Sequence, residues 1–95
     1  MSFQFEWDND KAKTNLQKHG VSFAEAITVF CDPLAQIFND DVHSANERRE
    51  IIIGHSNRDR LLLVCFTERT SAIRIFSVRE VTRKERADYE QNTGF

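Results

Sequence analysis

The run "REIIIGHSNRDRLLLVCFTERTSAIRIFSVRE", residues 49–80, decides the fold. It divides into three strands, 49–56, 60–68 and 72–80, each dense in Ile, Leu, Val or Phe. The connections, "NRD" around residue 58 and "RTS" around residue 70, are too short to hold a helix. Strands joined that closely lie antiparallel, as hairpins.

Upstream, "FQFEW" (3–7) alternates apolar Phe3, Phe5 and Trp7 with polar residues and reads as a short strand. Asp8 is positioned to cap a helix running to about Lys18, which Gly20 ends. Ser22 and Glu25 form a capping box for a second helix. Its Phe23, Ile27 and Phe30 recur at helical spacing, and Asp32-Pro33 stops it. "LAQIF" (34–38) is a further strand and "NDDVHSANE" a polar loop. Downstream, Thr82 and Glu85 make another capping box, opening a last helix to about Glu90 whose apolar contribution is only Ala87 and Tyr89. The order is β-α-α-β-β-β-β-α. It describes a single α+β domain over residues 1–95, a mostly antiparallel sheet packed by helices.

Composition bounds the function. No apolar run approaches the roughly 18 residues of a membrane span, and "MSFQFEWDND" lacks the pattern of a signal peptide, so the expected location is cytoplasmic. Cys31 and Cys65, in apolar surroundings, are expected to be reduced core residues. Net charge is −2, yet the charge is divided: residues 1–42 carry −4 and residues 43–95 carry +2. Every arginine lies between Arg48 and Arg86, and the planar guanidinium fork suits phosphate. The chain has no glycine-rich phosphate loop and no serine nucleophile motif.

With residue 53 opposite 63 and residue 66 opposite 74, one sheet face carries Ile51, Ile53, Leu61, Leu63, Ile73 and Ile75, the natural side for helices. The opposite face carries Phe66, Glu68, Arg74 and Phe76, with Arg74 across from Phe66 and diagonal to Glu68. That face either satisfies itself with a Glu68–Arg74 ion pair or holds an RNA backbone. His19 is read as a helix C-terminal cap, His43 as a solvated loop residue, and His55 as a strand-end residue able to act as acid or base. The three histidines lie too far apart in sequence for metal-ligand spacing, so no metal site is expected. Tyr89 is read as packing.

"FEWDNDKAKTNLQKHGVSFAEAITVFCDPLA", followed in order by "HSANERREIIIGHSNRDRLLLVCFTER", "IRIFSVRE" and "TRKERADYE", resembles BrnT-type toxins over residues 5 to 90. Two departures stand out: Thr70 where members usually have glycine, and Glu80 where many have arginine. The resemblance implies a RelE-like fold and a metal-independent endoribonuclease toxin of a type II toxin–antitoxin module that inhibits translation and growth. It also implies an RNA substrate, no cofactor, and a ribbon-helix-helix antitoxin through which alone the chain meets DNA. On that basis Arg74 is expected at the phosphate, with Glu68 and His55 transferring protons. Arg69, Arg79, Arg83 and Lys18 are expected to hold substrate phosphates. The alternative is a non-catalytic co-repressor acting with a DNA-binding partner, which the negative net charge favours.

Overall fold

The three central runs form the middle of a five-stranded sheet in the computed structural model, which describes residues 4–92. Phe3 of the expected first strand lies outside the described residues. The elements are β1 (Phe5–Glu6), α1 (Asn9–His19), α2 (Phe23–Val29), β2 (Gln36–Asn39), a single 3-10 turn (Asp41–His43), β3 (Glu50–His55), β4 (Leu61–Glu68), β5 (Ile73–Glu80) and α3 (Arg83–Asn92). Sheet order is β1-β5-β4-β3-β2, antiparallel except where β1 runs parallel to β5. The expected α+β class and element order are found.

Local chemistry sets the helix ends. The Asp8 carboxylate accepts the N–H groups of Asp10 (2.8 Å) and Lys11 (3.1 Å). Gly20 closes α1 at φ 69°, a left-handed conformation that needs no Cβ, and its N–H reaches the Leu16 carbonyl at 2.9 Å. Thr82 and Glu85 form both bonds of their capping box, at 3.2 and 2.7 Å. The box at α2 is half made. Ser22 Oγ accepts the Glu25 N–H at 3.0 Å, but the buried Glu25 carboxylate turns to Ser56 Oγ (2.6 Å) and the Arg60 guanidinium instead.

Helix α1 also closes a sheet edge. Among the described residues, β1 pairs with β5 at Phe5–Ile73 and Glu6–Arg74, which leaves the rest of that edge open. Buried Asn15 covers it as a peptide would: its amide donates to the carbonyls of Val78 (2.9 Å) and Val21 (3.0 Å), and its oxygen accepts the Val78 N–H (3.1 Å).

The faces are the reverse of the sequence expectation. Helix α2 packs on the face of Ile52, Gly54, Leu62, Val64, Phe66 and Val78, joined by Ile73 and Ile75. Edge-on aromatic contacts knit this core: Phe5 with Phe30 and Phe30 with Phe66 at 5.1 Å, and Trp7 with Phe23 at 5.8 Å. A β-bulge is what brings Ile73 and Ile75 onto that face. Ile53 faces Leu63 as expected, but Cys65 pairs Ser77 while Phe66 pairs Ile75, so Phe76 is an extra residue in β5. Beyond it the parity switches. Arg74 therefore faces Thr67, not Phe66, and Glu68 faces Ile73. Thr70 lies in a turn closed by reciprocal Arg69–Ala72 hydrogen bonds, without the left-handed backbone a glycine would be needed for.

Gly54 lets α2 and the following turn approach the sheet. A Cβ there would meet Ala35 Cβ at 2.8 Å, Asp32 Oδ2 at 3.0 Å and Val29 Cγ1 at 3.2 Å. Gly54→Ala is expected to cost about 1–3 kcal/mol through overpacking, read as a lower urea midpoint with an unchanged slope.

Candidate functional site

The loop between β2 and β3 is stapled rather than free. The Asp40 N–H donates to the Arg49 carbonyl at 2.9 Å. Ser44 Oγ donates to the Asp40 carbonyl (2.6 Å) and accepts the Arg49 N–H (3.1 Å). On β4, Thr67 Oγ1 holds the Arg48 carbonyl at 2.6 Å. The single 3-10 turn then brings His43 Nδ1 to 3.0 Å from the buried Asp40 carboxylate. The rest of the ring stays open, with 64% of the side chain exposed, so it remains reachable by a ligand.

This pair stands at a trough of about 350 Å³ on the sheet face away from α2. Ile51, Leu63, Cys65 and Ser77 line it from the strands, and His19, the last residue of α1, from the side. Arg79 lines it too, fixed by a two-pronged bond to Glu85 of α3: Nη1–Oε1 2.8 Å and Nη2–Oε2 2.9 Å. That guanidinium, helped by the Thr82 N–H, holds the Glu85 carboxyl at a pKa of about 2, and Glu85 in turn raises that of Arg79. Glu85 is thus an anchor rather than a proton carrier at neutral pH. Burial pushes the Cys65 thiol up, away from the reactive thiolate. A second groove, along α1, shares His19 and Ser77 with the trough and is lined by Lys11, Lys18 and Phe76.

The three residues expected to do the chemistry are not brought together. Arg74 donates to Glu6 at 2.8 Å, so the Glu68–Arg74 pair is replaced by a bridge from β1 to β5. Arg69 shares Glu6 (3.9 Å) and also meets Glu47 (3.5 Å). His55 sits at the other end of the sheet, opposite Leu61, seven β4 residues or about 23 Å from Glu68. Its N–H donates to Asp32 Oδ2 at 2.7 Å, and its ring meets Tyr89 edge-on at 5.8 Å. Tyr89 is buried as read, its hydroxyl donating to the Leu34 carbonyl at 3.2 Å.

Of the expected phosphate ligands, Arg79 is in the trough and Lys18 in the adjoining groove, while Arg83 is exposed at the start of α3. Cys31, expected in the core, is exposed; both cysteines are free. Sequence reasoning did not bring His19 and His43 to one trough. The signal for His43 is Asp40 three residues before it, the spacing of one tight turn; nothing local joins His19 to it. Among the described residues, no three His, Cys, Asp or Glu side chains form a group that could hold a metal ion. No described helix is long and apolar enough to cross a membrane.

Histidines and an arginine around one open trough, on a small α+β fold, suit a ribonuclease. Residues 7–85 match the family described as the ribonuclease toxin BrnT of type II toxin–antitoxin systems, and the chain belongs to that family. Its class is therefore an RNA-cleaving toxin with an antitoxin partner. The 1.1 Å crystal structure of the Brucella abortus ribonuclease toxin BrnT is similar at a TM-score of 0.68 and 27% identity, covering 86% of this chain and 100% of that one. No curated protein matches the sequence.

The Glu85–Arg79 pair makes stability depend on acid. A carboxylate whose folded pKa is depressed adds stability above its unfolded pKa, near 4.5, and loses it as pH falls towards about 2. Wild type is expected to lose about 2–3 kcal/mol through this group between pH 5 and pH 2. Urea denaturation of Glu85→Gln should show that much less acid sensitivity.

Proposed function

We propose that the chain is a metal-independent endoribonuclease whose reaction takes place in the trough of His19, His43 and Arg79. The observation that carries this reading is the convergence there of two histidines from distant segments with a fixed guanidinium. RNA brings its own nucleophile, the ribose 2′-OH. His43, oriented by Asp40, takes the 2′-OH proton while the 2′ oxygen attacks phosphorus. The P–O5′ bond breaks, and His19 gives a proton to the departing 5′ oxygen, leaving a 2′,3′-cyclic phosphate and a 5′-hydroxyl. Arg79 stabilises the charge that builds on the phosphoryl oxygens.

Lys18 and Arg83 hold flanking phosphates in this scheme, and Arg69 and Arg74 serve the far end of the strand, where Glu6 and Glu47 already neutralise them. The consequence in the cytoplasm is loss of translatable RNA and growth arrest. A ribbon-helix-helix antitoxin neutralises the toxin and carries the complex to DNA.

Induced expression is expected to stop growth and leave RNA fragments with cyclic phosphate ends. His43→Ala or His19→Ala should lower cleavage by about 100-fold or more, with circular dichroism and antitoxin co-purification unchanged. Arg74→Ala and His55→Ala should still cleave. Full cleavage by both trough variants would move the chemistry elsewhere. Normal growth with abundant folded wild type would favour the co-repressor reading.

A further inference from the structure

We propose that Arg49, seated on Phe76, binds a backbone phosphate of single-stranded RNA beside the trough. The inference rests on the ribonuclease reading and adds a contact to it. Carboxylates already hold the other partly buried arginines: Arg60 by Glu25, Arg74 by Glu6 and Arg79 by Glu85. Arg49 is different. Its guanidinium carbon lies 3.9 Å from the centroid of the Phe76 ring, and among the described residues it has no ion-pair partner. Its Nε is buried without a hydrogen-bond acceptor.

A half-buried cation without an anion is unfavourable, and a ring quadrupole offsets only part of that. A second cation lies against the same ring, with Lys11 Nζ 5.5 Å from its centroid. An anion arriving at the Arg49 guanidinium supplies the missing partner. Among the described residues Arg83 and Arg86 also lack a carboxylate partner, but they are exposed on α3, where water solvates them.

The site is held ready by the chain around it. The Arg49 main chain is pinned on both sides, by Ser44 Oγ and by the Asp40 N–H, so little freedom is lost on binding. Phe76 lines the groove that adjoins the trough, which places the cation along the path of a strand entering it. The guanidinium already covers a face of the ring, so the seat takes phosphate oxygens rather than a stacked base. Its effect is therefore independent of RNA sequence.

The test uses the whole chain and a 2′-O-methyl oligouridylate, which lacks the nucleophile and is not cleaved, with affinity measured over a series of salt concentrations. Arg49→Ala is expected to weaken binding on the order of tenfold and to lower the salt slope by about one. Arg49→Lys keeps the charge but not the planar stack and should recover only part. Arg49→Met keeps an apolar stem over the ring, guarding against loss of fold, and should bind as weakly as alanine. His55→Ala, at the other end of the sheet, should bind as wild type does. Wild-type affinity and slope in both Arg49→Ala and Arg49→Met would overturn the proposal and leave the ribonuclease reading standing. A wild-type chain that neither binds this probe nor cleaves unmodified RNA would overturn both.

Discussion

One extra residue in β5 determines what the sheet offers to solvent. Side chains alternate along a strand, so inserting Phe76 reverses the faces of everything before it. Val78 can therefore share the helix-covered core with both Ile75 and Ile73. The same switch sends Arg74 out to Glu6 and leaves Phe76 where Arg49 can lie on it. An unbulged β5 would keep Arg74 and Phe76 on the side of Val78, setting a charge against α2. The bulge lets one strand complete an apolar core and still furnish an open cationic face.

A buried carboxylate supports the other end of the fold. Glu25, 5% exposed, is bonded by Ser56 and Arg60, and the Arg60 hydrogen bond holds its pKa below the ordinary carboxylate range. Arg60 also donates to the Gly20 carbonyl at 3.3 Å. This single cluster ties α2 and the end of α1 to the β3–β4 turn, so His19 is positioned from the core as well as from its own helix. Losing either charged partner would strand the other in a poorly solvated place.

Much of the architecture was legible because its signals are local. Asp8, Gly20, Ser22 and Thr82 mark helix ends through bonds within a few residues, and the hairpin connections announce antiparallel strands. The failures came from nonlocal parity. Even register is the simplest assumption for the β4–β5 hairpin, yet "IRIFSV" carries a warning: Ile73 and Ile75 are two apart, whereas Val78 follows Ile75 by three. The shifted register put Arg74 on the face opposite Glu68, whereas His55 stands at the far end of the sheet in either register. That His19 and His43 line one trough was not legible, because a helix end and a loop 24 residues apart are brought to it only by the folded sheet. Glu25 shows the same limit, since its capping position was readable and its buried engagement with Arg60 was not.

The pairing of the first strand with the fifth governs how the molecule can come into being. Phe5 sits beside Ile73, and Asn15 finds its acceptor and donor on Val78, 63 residues later. As the chain leaves the ribosome, α1 therefore has no sheet edge to close until β5 has emerged. Arg79 and Glu85 arrive later still. A half-made chain thus has neither its edge seal nor its trough, and the toxin's working surface exists only once α3 has emerged.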